Sequence, residues 1–162
     1  MREPAEARRA EWTAIAAGVA IVGNAVIFGT DVFSAIVLDP AAADATDSSV
    51  ADLIGRIHHY GDRRLPIPGV TAVVAAPAAA VLAKTPAARA GATTATLAMV
   101  AWLVIYGNIS KPINKELRAA AASHAVPSNT RSLQQRWGAV IWPRVGLQGL
   151  ALVGLLFALA RR

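Results

Sequence analysis

Few side chains in this 162-residue sequence are suited to chemistry, and their positions are uneven. There are three histidines, His58, His59 and His124. Neutral imidazoles that titrate at about pH 6.5 suit proton abstraction, and three on one side of a membrane could also share a metal ion. Adjacent His58 and His59, however, point about 100° apart on a helix, and no His-x3-His or Glu-x2-His pair accompanies them, so interfacial packing or acid–base work is expected before metal binding. Arg144 directly precedes the uncharged run Val145–Ala160. A guanidinium at membrane depth is costly, so Arg144 either reaches headgroups by snorkelling or turns inward to a partner or an anionic ligand. Asp31, late in the first apolar segment, is its natural partner, and a buried Asp31–Arg144 pair could be purely structural. Asn108 and Asn114 could orient a carbonyl or enolate by amide donation, or simply cap helices. Tyr60, Trp137 and Trp142 could wall a flat ligand, or belong to an interfacial aromatic belt.

The elements that must position these residues follow from the charge distribution. Apolar residues make up 55% of the chain, and the windows Trp12–Thr30, Leu65–Ala83, Ala90–Ser110 and Val145–Ala160 contain no Asp, Glu, Lys or Arg. A soluble domain needs polar residues on the outer face of every element, so a water-soluble globule is excluded. Roughly 20 apolar residues of helix cross about 30 Å of hydrocarbon. The chain is therefore expected to be all-α, a single transmembrane domain over residues 1–162. Its expected form is an integral membrane four-helix bundle with spans at about 12–38, 65–83, 90–110 and 138–160. Short amphipathic helices, at about 50–60, 112–125 and 129–137, are expected in two long loops on one side. The first span resembles a secretory signal, but its apolar run continues to Leu38 and reads as a retained anchor.

Local signals place the boundaries. Asp39-Pro40 should end the first span, because proline disfavours helical geometry in the residue before it. Ser49 with Asp52 reads as the N-cap of the first loop helix, Gly61 as its close, and Asn108 as a polar stop to the third span. Trp142, Pro143 and Arg144 should mark a kink. Ala72, Ala76 and Ala80, with Ala75, Ala79 and Ala83, repeat every fourth residue and predict close helix packing.

A net charge of +6 raises the question of nucleic acid, but the bases form no dense stripe interleaved with aromatics. Anionic lipid headgroups are the simpler partners, alongside the bilayer itself; a homo-oligomer is compatible with this. Cysteine is absent, which excludes disulfides, thiolate metal sites and cysteine nucleophiles. Arg2, Arg8 and Arg9 before the first span favour a cytoplasmic N-terminus, and an even number of spans puts the C-terminus there too. That orientation fits a bacterial cytoplasmic membrane.

Three stretches carry a resemblance: Gly29 through Pro40, the segment Asn108-Ile-Ser-Lys-Pro-Ile-Asn-Lys-Glu-Leu117, and the Trp137…Arg144 spacing. With them the whole chain resembles a broad family of small four-span bacterial and fungal membrane proteins that includes the anthrone oxygenases of aromatic polyketide pathways. The family pattern often has Asn or His between that Trp and Arg; Ile141 stands there in this sequence. The resemblance implies oxidation of a small, flat, hydrophobic phenolic substrate by molecular oxygen, without flavin, haem or an established metal. In that scheme His58 or His59 is the base, Arg144 stabilises the developing anion, and Asn108 and Asn114 anchor the carbonyl. Asp31 belongs to the same mouth, and Tyr60, Trp137 and Trp142 are the walls. The alternative expectation is a non-catalytic membrane accessory or scaffold protein in which Asp31 and Arg144 merely pair.

Overall fold

A computed structural model describes residues 3–162, with side chains from Ala7 onward; Arg2 lies outside the described residues. The described residues are all-helical, without a strand. In chain order the helices are α1 (Glu3–Phe33), α2 (Asp39–Asp44), α3 (Asp47–Ser49), α4 (Gly55–Arg64), α5 (Pro66–Leu82), α6 (Pro86–Ile105), α7 (Lys111–Ser123), α8 (Thr130–Gly138) and α9 (Ile141–Ala160). Three wider turns of π-helix, Ser34–Leu38, Val50–Ile54 and Tyr106–Ser110, join α1 to α2, α3 to α4, and α6 to α7. Continuous helices therefore run over Ala7–Asp44 and Pro86–Ser123, and α8 and α9 follow one another over Thr130–Ala160 with a short break between them; each stretch is long and apolar enough to cross a membrane. A fourth crossing results if Asp47–Arg64 and Pro66–Leu82, bent by 45° at Leu65, count as one. These are the helices of an integral membrane protein.

The expected long loops are mostly helix, for an identifiable reason. Asp39-Pro40 does not end the first helix, and the third does not stop at Asn108. Inside an α-helix a proline lacks its N–H and its ring meets the carbonyl four residues back. Here Pro40 and Pro112 each follow a π-turn, across which the Asp39 N–H bonds to the Ser34 carbonyl and the Lys111 N–H to the Tyr106 carbonyl. The extra residue widens the turn, and each proline falls at the first turn of the next helix, where its missing N–H costs little. Other boundaries also move. The N-cap of the loop helix is Thr46, whose hydroxyl accepts from the Ser49 N–H at 3.3 Å, and the helix runs past Gly61 to Arg64. Pro143 sits in the first turn of α9 and kinks nothing; the break before it falls at Ala139-Val140.

The chain resolves into two compact units. The first comprises the chain up to Phe28, Ile67–Trp102 and Gly146–Arg162. Its core is built from small residues, with Ala20, Ala72, Ala76, Ala95 and Ala151 buried around Met99 and Leu155. Of the expected alanine repeat, Ala72, Ala76, Ala79 and Ala83 are buried, while Ala75 and Ala80 are half-buried. Close approach is reciprocal where α6 crosses α9: a Cβ on Gly91 would lie 2.6 Å from the Gly154 carbonyl oxygen, and one on Gly154 2.7 Å from that of Gly91. Such backbone contact is how small residues hold helices together in lipid.

The second unit, Gly29–Pro66 with Leu103–Val145, is packed differently. Its core uses large side chains, Val50, Ile54, Ile113, Leu117, Leu133, Trp137 and Ile141. Gly55 lets α4 lie directly on α7, because a Cβ there would overlap the Leu117 carbonyl and come 2.6 Å from the Ala121 methyl. Arg131 of α8 closes the other side. It donates to the carbonyls of Ala42, in the last turn of α2, and Ala45, just past its end, and pairs with Asp47 at 2.7 Å.

Candidate functional site

The second unit gathers a polar cluster on that hydrophobic core, and each member is placed by a named element. Asp31 lies in the last turns of α1 and Arg144 in the first turns of α9; both are buried, and the guanidinium donates to the Asp31 carboxylate at 2.5 Å. Arg144 also donates to Ser110 Oγ at 3.0 Å. Ser110 ends the π-turn that precedes Pro112, so the widened turn delivers its hydroxyl to the ion pair. Arg144 also stands over the Trp137 ring, 5.5 Å from its centroid.

Trp137 is buried in α8 and its indole N–H donates to Asn114 Oδ1 at 3.1 Å. Asn114 Nδ2 in turn donates to Asp62 Oδ1 at 3.0 Å, so the amide is held at both ends and its orientation is fixed. Asp62, near the end of α4, also accepts from the Tyr106 hydroxyl at 3.0 Å and pairs with Arg118 at 3.2 Å. His58, one turn before Asp62, is buried with its ring 5.5 Å from Trp137. Its Nε2 has no hydrogen-bond partner among the described residues, and neither does the buried Oε1 of Gln134, whose Nε2 donates to Asp39.

No family model, curated protein or solved structure matches this chain. What the cluster can do follows from its own chemistry. Burial pushes the His58 pKa down to about 4; Asp62 opposes that shift, and Arg144 and Arg118 add to it. The imidazole is therefore neutral at pH 7, with a lone pair or an N–H to offer in a site lined by an indole. The Arg144 charge is balanced by Asp31, so the pair acts on its surroundings as a fixed dipole rather than as a bare cation.

Of the residues singled out from the sequence, the structure brings together Asp31, His58, Asn114, Trp137 and Arg144. It leaves the others outside. His59 is half-buried and its Nε2 lies 2.6 Å from Arg63 Nη1. Tyr60 is exposed beneath Arg64, and Trp142 is exposed on α9. Asn108 is exposed and donates to the Val104 carbonyl one turn back. His124 caps α7 in a left-handed conformation, φ 53°, and is exposed. Among the described residues no group of three or more His, Cys, Asp or Glu is placed to hold a metal ion.

Sequence reasoning missed Asp62, Ser110, Arg118 and Gln134. Asp62 and Arg118 each stand four residues after a member of the cluster, His58 and Asn114, and Gln134 stands three before Trp137. Those helical spacings were the available signal.

Proposed function

We propose that the chain is a membrane-embedded, oxygenase-like enzyme acting on a flat phenolic substrate of polyketide type, by base-promoted reaction with molecular oxygen. The observation that carries this reading is His58: a neutral, buried imidazole with an unpartnered Nε2, packed on an indole that Arg144 and Asn114 hold rigid. A purely structural histidine is expected to have that nitrogen satisfied. The resemblance to the anthrone oxygenases supplies the substrate class.

For an anthrone the steps balance as follows. His58 Nε2 takes one proton from the ring methylene, and the electron pair left behind spreads into the adjoining phenolic system. That anion passes one electron to oxygen, and the carbon radical and superoxide combine into a C–O bond. The peroxide takes the proton back from the imidazolium. Loss of the second methylene proton with O–O cleavage leaves a carbonyl and releases water. The carbon is oxidised from CH2 to C=O, and one oxygen atom ends in each product. The protein supplies the base, a dry aromatic wall and the Asp31–Arg144 dipole. Asn114, committed at both ends of its amide, positions Trp137 rather than anchoring a carbonyl.

The test is oxygen uptake and quinone absorbance with an anthrone in detergent micelles, corrected for the uncatalysed rate. His58→Gln should lose about 10²- to 10⁴-fold, the usual worth of a positioned base. Wild-type turnover by a folded His58→Gln protein would sink the proposal.

One observation favours a second reading, a non-catalytic accessory or scaffold protein: the Arg144 guanidinium already has partners within the protein, Asp31 and Ser110. It predicts that Asp31→Asn lowers stability and changes nothing else.

A further inference from the structure

Among the described residues Asp62 is the one carboxylate that acts on His58 alongside two cations, and the sequence offers no motif for it. The two side chains stand four residues apart on α4 and so share a face of one helix. Charges face His58 from the other elements as well: Arg118 from α7 and Arg144 from α9, with the Trp137 indole from α8. Asp31, the cluster's other acid and a buried one, is taken up by Arg144. An imidazolium formed at His58 thus meets two guanidiniums and a low-polarity wall. Only Asp62 favours it.

Asp62 is also held from three sides. Tyr106 Oη, Asn114 Nδ2 and Arg118 converge on its two oxygens, and 14% of its side chain remains exposed. Asn114 joins the carboxylate to the aromatic wall, since the same amide accepts from Trp137 Nε1.

We propose that Asp62 is the positioning and charge-balancing partner of His58, and that the Asp62–Asn114–Trp137 chain fixes the imidazole against its wall. The proposal rests on the reading of His58 as the group that takes up a proton. It assigns Asp62 the compensation of that proton and Arg118 the opposing influence. Asp62 touches no substrate in this scheme and acts through His58 alone.

The test reads the His58 ring directly, by nitrogen-detected NMR titration of the full chain in micelles, in a His59→Gln/His124→Gln background that leaves one imidazole. Asp62→Asn should move the His58 midpoint to lower pH by about one unit, a tenfold smaller imidazolium fraction at any pH well above both midpoints. Arg118→Gln should move it to higher pH. The opposite signs matter because both substitutions break the same ion pair. If Asp62 served only to hold the fold, its loss would admit water and raise the midpoint toward the value of free histidine. A raised or unmoved midpoint in Asp62→Asn therefore overturns the proposal, as does a lowered one in Arg118→Gln; if Asp62→Asn does not fold, Asp62→Ser is read for the same sign and decides the matter. In turnover, Asp62→Asn should lower kcat and leave KM unchanged. A wild-type protein that oxidises no anthrone removes the enzyme reading, while the titration still tests Asp62.

Discussion

A single buried imidazole makes this protein sensitive to acid. Free histidine protonates at about pH 6.5, whereas folded His58 does so only near 4, so between these values unfolding takes up a proton. The contribution of neutral His58 is complete above that window and declines as the pH falls through it, by about 1.4 kcal/mol per unit at most. Denaturant unfolding at a series of pH values should show this slope, and His58→Leu should flatten it. An equal slope in the variant would assign the sensitivity to another group. Asn114→Leu should leave the Trp137 N–H and one acceptor position on Asp62 unfilled, at a cost of about 1–3 kcal/mol, and shift Trp137 fluorescence. At this scale the sequence was most legible where a residue type conflicts with its surroundings. Arg144 and Asp31 stand out against apolar runs, and each leads to the other. Asp62 sits among Arg63 and Arg64, where an acid looks like any solvated loop residue, and nothing local separates it from them.

Between elements, the closest approach is that of α4 to α7 at Gly55. Gly55→Ala must push the helices apart or bend them, and it should destabilise the fold by about 1–3 kcal/mol, the usual cost of overpacking, while disturbing the Asp62–Asn114 contact. Gly29→Ala is the control: nothing lies within 4 Å of a Cβ there, so stability should be unchanged or slightly higher. Steric melting curves that fail to separate the two variants would refute the assignment of Gly55 as the contact that sets the site. Helix existence was readable from charge-free windows, because length and apolarity suffice. The ends expected at Asp39-Pro40 and Asn108 were not. Proline at 40 and 112 signals a stop in an α-helix, and the π-turn that removes the conflict leaves no distinctive residue pattern of its own.

Across the whole chain, large apolar side chains such as Val22, Ile67, Val74, Val81, Leu97 and Val153 are exposed along the helices of the first unit, as contact with lipid requires. The protein should resist alkaline carbonate extraction from membranes and require detergent for release; recovery in the aqueous fraction would contradict the membrane assignment. The ion pair that ties the first long helix to the last belongs to this scale as well. Asp31→Leu or Arg144→Met alone should cost about 3–5 kcal/mol, because each strands a buried charge, whereas the double variant should recover most of the loss. Thermal unfolding of the four proteins in micelles completes that cycle. The three π-turns all fall within the second unit, and each holds one residue more than an α-helix needs. Each is therefore equivalent to a one-residue insertion in an α-helix. A relative that never acquired the insertion at 34–38 should lack proline at the position of Pro40, and one without it at 106–110 should lack proline at that of Pro112. Gap and proline should come and go together.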